Sequence, residues 1–304
     1  MARSTSADLG VQGLGWVVRR YAAGPNAIVP FYQSALGLRQ LRPPGPTGAV
    51  MLWAGDIVML EVSGLSTGPD SAARQGDMTV IMRVRDFGRA KAMMTAAGAQ
   101  QVGESLTPAK TVMFADPAGL RIGLREAIQA SSLQHDVIAN DIWRKGVITL
   151  PNAPSLPPDV QDIAAIGLKV VDPVAMAAFY ADLFGFATLG EPNPKGAALW
   201  LGRTTALELS PGGIKHAVPA DRDQVPDVWI ARVYDHDALA KRLADKKVPI
   251  VTQRQITGGK LTYAADPEGR LFGIQQRTPD LLPPDAKERV EDVLARDLWA
   301  ADAR

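Results

Sequence analysis

The chain has 304 residues, 46% hydrophobic and 21% charged, an ordinary globular composition and a length that suits two domains of roughly 150 residues each. Thirty-three basic residues against thirty-two acidic ones leave a net charge of +1, which gives no electrostatic footprint for nucleic acid or an anionic membrane surface. Cysteine is absent; this removes disulfides, thiolate nucleophiles and cysteine–zinc sites.

In chain order, the start MARSTSADLGVQG lacks an apolar core of signal-peptide length, and no run approaches a membrane span of about 18 residues. A soluble, cytoplasmic protein is expected. Residues 12–22 read as an apolar strand, and 25–36 as a helix with apolar positions Ile28, Val29, Phe31, Tyr32 and Leu36. AVMLWAG and IVMLEVS read as strands joined by a Gly-Asp turn. A second round follows: strand MTVIMRV, helix FGRAKAMMTAAG closed by a C-cap glycine, a strand near 100–104, strand TVMFA, a DPAG turn and strand LRIGLR. The unit is therefore βαβββ, and 163–211 and 228–276 repeat it twice more.

The repetition is legible residue by residue. FYQSALGL (Phe31 to Leu38) returns as FYADLFGF (Phe179 to Phe186), and WAGDIVMLEVS (Trp53 to Ser63) as WLGRTTALELS (Trp200 to Ser210). The turns DPAG at Asp116 and DPEG at Asp266 correspond, each with a lysine six residues earlier (Lys110, Lys260). DVIANDIW (Asp136 to Trp143) returns as DVLARDLW (Asp292 to Trp299). The expected layout is one domain at 11–126, a helix and Pro-rich linker at 127–159, a second domain at 160–277, and a C-terminal helix at 278–304. Asp285 and Glu288 are spaced as a capping box for that last helix.

Paired βαβββ units with FY…LGL/FGF on the first helix and DPxG before the last strand resemble the vicinal oxygen chelate superfamily, which includes glyoxalase I, extradiol dioxygenases and bleomycin-resistance proteins. The resemblance implies an α+β fold of four βαβββ units forming two tandem half-barrel domains. In metal-dependent members it further implies a divalent ion held by residues of the first strands, a fourth-strand Glu and a last-strand carboxylate. Those positions fall here on Trp16 (or Val17), Thr79, Ala165 and Val228, on Glu61 and Glu208, and on Gly123 and Gly273. A lone Glu in such company makes no metal site, so no metal and no cofactor are expected.

Small residues at ligand positions either let neighbours collapse inward or leave room for an organic molecule. The second copy, with Ala165, Val228 and Gly273, reads as the roomier. The expected function is binding of a small organic molecule in a metal-free cleft, with Glu61, Glu208, Arg232, Lys260, Trp229, Tyr263, Gly273, Ala165 and Val228 as candidate ligand-binding residues. An alternative is a metal-independent isomerase or lyase with Glu208 as general base beside Arg232 or Lys260. A third is a metal-dependent lyase or dioxygenase with relocated ligands, using Glu208 with His216. Whether the protein is an enzyme stays open at this point. The structural alternative pairs Glu61 and Glu208 with Arg83, Arg232, Lys110 or Lys260. His135 is placed on the inter-copy helix and His236 on the surface at a helix start. The expected partner is a small-molecule ligand, with neither nucleic acid nor membrane, for a monomer or homodimer.

Overall fold

The computed structural model describes residues 9–127 and 160–277, apart from 41–43, 45–46, 55–57, 67–70, 106–108, 203 and 257–258. The helices expected after each copy, with His135, Trp143, Trp299 and the capping box, lie outside the described residues.

The first copy runs β1 (Val11–Tyr21), α1 (Pro25–Leu36), β2 (Arg39–Gln40), β3 (Val50–Trp53), β4 (Met59–Gly64), β5 (Met78–Val84), α2 (Phe87–Ala96), β6 (Gln100–Ser105), β7 (Thr111–Ala115) and β8 (Arg121–Glu126). The second runs β9 (Val160–Val170), α3 (Pro173–Phe184), β10 (Ala197–Gly202), β11 (Thr205–Pro211), β12 (Asp227–Val233), α4 (His236–Asp245), β13 (Ile250–Ile256), β14 (Gly259–Ala265) and β15 (Leu271–Arg277). The α+β reading therefore holds: among the described residues four α-helices and paired strands repeat the βαβββ order. One module departs from it. Between α3 and β10 the short strand is reduced to a bridge of Thr188 with Leu199.

Local chemistry explains the helix boundaries. Asp86, Asp172 and Asp235 cap α2, α3 and α4 by accepting from backbone N–H groups of the first turn. The glycines of the repeated LGL and FGF, Gly37 and Gly185, end α1 and α3 in the left-handed region, at φ 63° and 70°, with N–H bonds back to Tyr32 and Ala181. Among the described residues no helix is long and apolar enough to cross a membrane.

In strand order the two sheets read β13–β14–β15–β12–β1–β4–β3–β2 and β10–β11–β9–β5–β8–β7–β6. Each sheet thus takes one βαβββ module from each copy. The chain divides into two compact units: Val17–Leu168 with Asp223–Asp227, called the first, and Met1–Trp16, Lys169–Arg222 and Val228–Arg304, called the second.

The first unit is organised around a buried polar network. Arg19 is fully buried on β1. Its Nε donates to Asp227 Oδ1 at 2.9 Å, its Nη1 to Tyr32 Oη at 2.8 Å and its Nη2 to the Arg121 carbonyl at 2.9 Å. Tyr21 and Tyr32 share a 2.6 Å hydrogen bond, and Tyr21 donates to Asp116 Oδ2 at 2.7 Å. The other oxygen of Asp116 accepts from the Ala118 and Leu120 N–H groups, 2.9 Å each. The DPxG aspartate therefore closes its own turn and is held by Tyr21, with Tyr32, the tyrosine of FY, 3.3 Å from the same oxygen. The second unit repeats the device: Tyr180 donates to Asp266 Oδ2 at 2.8 Å, and Asp266 Oδ1 accepts from Glu268 N and Arg270 N. In the second unit the two motifs are the two ends of one buried hydrogen bond; in the first, Tyr21 stands beside the FY tyrosine and makes the shorter bond.

Burial lowers the Arg19 pKa, but Asp227 and the other electronegative neighbours outweigh it and hold the guanidinium well above its ordinary value. Burial also pushes the Tyr21 and Tyr32 phenols up. Asp227 is pushed above the usual carboxylate range, chiefly by burial, despite Arg19. Because its folded pKa exceeds the unfolded value of about 4, its contribution to stability is present below that pH and is lost as pH rises through the folded value. Asp227→Asn keeps an oxygen for Arg19 Nε and has no proton to lose. We expect it to flatten the stability profile just above pH 4, measured by urea unfolding at a series of pH values.

Candidate functional site

The two glycines at the ligand positions are explained by packing. Gly273 stands opposite Ile230 across β12 and β15, and a Cβ there would lie 2.8 Å from Ile230 Cγ1 and 3.2 Å from Cγ2. Gly123 stands opposite Ile81 across β5 and β8; its Cβ would lie 2.9 Å from Ile81 Cγ1 and 3.0 Å from Met113 Sδ. At neither position is the backbone in the left-handed region, so glycine is needed there for space. The expectation that these glycines leave room is corrected: a β-branched neighbour fills each place. Beside these two glycines the neighbouring side chains have closed inward.

Strand register sorts the candidates of the second unit by face. On β12 and β15, Trp229 and Phe272 are stacked with ring centroids 5.8 Å apart, and both meet Tyr180 and Phe184 of α3. Trp229 therefore belongs to the helix-covered face, where an aromatic pair adds about 0.5–1.5 kcal/mol beyond area burial. Lys260, opposite Gln276, shares that face's parity and pairs with the exposed Asp237 of α4. His236 of α4, expected on the surface, is fully buried; its Nε2 lies 2.8 Å from Thr262 Oγ1. The first residue of α4 lies against β14, which turns its ring inward.

The opposite face, helix-free among the described residues, carries Val228, Ile230 and Arg232 of β12, Gly273 and Gln275 of β15, and Leu261 and Tyr263 of β14, all buried. Arg222 donates to the Tyr263 hydroxyl at 3.3 Å and lies over its ring, 5.2 Å from the centroid. Gln275 is 0% exposed, and neither its Nε2 nor its Oε1 has a hydrogen-bond partner among the described residues. Such a group costs about 1–3 kcal/mol unless something satisfies it.

The other candidates lie elsewhere. Ala165 on β9 and the half-buried Glu208 on β11 belong to the seven-stranded sheet, with Thr79 and Gly123. Glu208 therefore shares no strand row with Arg232 or Lys260. Glu61 on β4 is half-buried opposite Met51. Arg83 pairs with Asp162, and the Lys110 ammonium sits 4.6 Å from the Phe87 ring centroid. His216 is tied through its backbone to the DPEG turn, its N–H donating to the Glu268 carbonyl.

Sequence reasoning passed over Gln275 and Arg19. Gln275 has the strand parity of Gly273, and an amide at a core parity was the available signal. Arg19 and Arg20, adjacent inside the apolar run VQGLGWVVRRY, gave a similar one.

Residues 16–124 match the glyoxalase-like domain family. A Bacillus subtilis protein described as a candidate dioxygenase is similar in structure over 92% of this chain and 89% of its own, at 14% identity and a TM-score of 0.63. Glyoxalase I from Zea mays is similar over 93% and 95%, at 14% identity and a TM-score of 0.57. This is the vicinal oxygen chelate fold. No curated protein matches the chain.

The divalent ion that the fold implies does not fit the residues present. Trp16, Thr79, Ala165, Val228, Gly123 and Gly273 offer no ordinary metal-ligating atoms, and Ile81 and Ile230 occupy the space beside the two glycines. Among the described residues no group of three or more His, Cys, Asp or Glu side chains could hold a metal ion.

Proposed function

We propose that this vicinal oxygen chelate protein binds a small organic molecule on the helix-free face of its second unit, without a metal. The observation that carries this reading is Gln275. A fully buried amide with both atoms unpartnered among the described residues stands between Leu261 and Arg232, on a face that the described helices do not cover. Of the residues proposed from the sequence, Arg232, Tyr263, Gly273 and Val228 stay with this site; Trp229 and Lys260 face the helices. The half-barrel supplies apolar walls and a few polar groups that fix orientation, the usual make-up of a ligand pocket.

Two measurements test it. Elemental analysis of protein purified without chelator is expected to find far less than one ion per chain; close to one would overturn the metal-free reading. A thermal-shift panel of acidic, neutral and basic small molecules is expected to give stabilising hits that disappear in Gln275→Leu. A panel without hits, or hits indifferent to that substitution, would overturn the site.

A further inference from the structure

The chemistry of the helix-free face narrows the ligand, and this narrowing rests on the binding reading just given. Strand register aligns one row across four strands: Arg254 on β13, Leu261 on β14, Gln275 on β15 and Arg232 on β12. The adjacent row is Thr252, Tyr263, Gly273 and Ile230. Neighbouring strands stand about 4.8 Å apart, so Gln275 lies one strand from Arg232 and two from Arg254, within the reach of both long side chains. Neither row contains a carboxylate.

We propose that this row binds a small hydroxycarboxylic acid, its carboxylate facing the arginines and its hydroxyl bonded to Gln275. Three observations bear on the class. First, the Arg254 Nε is a buried donor with no partner among the described residues, and donors of that kind select an oxyanion. Second, Arg232 is almost fully buried at the other end of the row, and Gly15 makes room for it: a Cβ there would lie 3.0 Å from Arg232 Cβ and 3.1 Å from its Nε. Third, Gln275 presents a donor and an acceptor side by side, both unpartnered. A bare anion satisfies only the donor. A hydroxyl next to the carboxylate also donates to Oε1, so one hydroxyacid completes both halves of the amide.

The test uses the full-length chain with glycolate, the simplest hydroxycarboxylate, and glycolamide, its neutral twin, followed by ligand-observed NMR titration. Saturable glycolate binding at least tenfold tighter than glycolamide is expected. Gln275→Leu should weaken glycolate at least tenfold while melting no lower than the parent, since it replaces an unpartnered amide by an apolar group. Arg254→Gln, on the half-buried edge strand, should weaken glycolate several-fold and leave glycolamide unchanged; it serves as the second variant if Gln275→Leu fails to fold. Equal binding of the two probes, no saturable glycolate binding, or glycolate binding indifferent to both variants would overturn the proposal. Neutral or basic panel hits that depend on Gln275, with glycolate silent, would overturn the acid class and leave small-molecule binding standing.

Discussion

Arg19→Met is expected to lower the unfolding free energy by about 3–5 kcal/mol, the usual penalty when one partner of a buried ion pair is removed. The substitution keeps much of the side chain's volume and deletes three hydrogen bonds at once, to Asp227, Tyr32 and the Arg121 carbonyl. Asp227 would be left without its cation, and Asp116, 3.9 Å from the guanidinium, would lose a favourable neighbour. Urea unfolding followed by circular dichroism measures the loss. A change below about 1 kcal/mol would mean that the network satisfies itself without Arg19, and that its charge is dispensable to the first unit. Adding Asp227→Leu to Arg19→Met should recover part of the loss, because both charges then go together.

The second large effect concerns the glycine of the last strand. Gly273→Ala should cost about 1–3 kcal/mol, as an overpacked core position does, because the new methyl would meet Ile230 Cγ1 at 2.8 Å. Ile230→Ala alone should cost about 2–5 kcal/mol through the cavity it opens. The double variant should cost less than the sum of the two, with a coupling of about 1 kcal/mol or more, since each change supplies what the other removes. Gly273→Glu, which places a carboxylate where the resemblance implies a ligand, should be worse than Gly273→Ala, because it adds a buried charge to the steric conflict. Elemental analysis should find that it gains no metal. A neutral Gly273→Ala, or an additive double variant, would refute the packing account of this glycine.

These two experiments mark the boundary between what can be read along the chain and what cannot. The duplication, the βαβββ order and the turn residues are local, so FYQSALGL and FYADLFGF announce themselves wherever they stand. The helix ends follow from Asp172 as a cap and Gly185 as a terminator, and these too are decided within a few residues. That Gly123 and Gly273 stand where the resemblance implies a last-strand ligand was likewise legible, because a resemblance assigns roles by position. What fills the space beside them was not. Ile230 lies forty-three residues before Gly273 in the chain, and only the parallel pairing of β12 with β15 sets it opposite.

Faces were harder than elements. Alternation along a strand separates two sets of side chains but does not say which set meets a helix; a slip of one residue exchanges them. Composition and position make Trp229 and Lys260 pocket candidates, yet they lie on the helix-covered side, whereas Gln275 lies on the side of Gly273. His236 was read as exposed because helix starts usually are, and α4 turns it against Thr262.

By itself the sequence determined the repeated architecture, the turn and cap chemistry and the small residues at the positions the resemblance singles out, all carried by neighbours along the chain. The tertiary structure alone decided which module of one copy shares a sheet with which module of the other. It alone decided which strand face the helices close, and that Arg19 and Gln275 are buried polar centres, because these depend on pairings between residues tens to hundreds of positions apart.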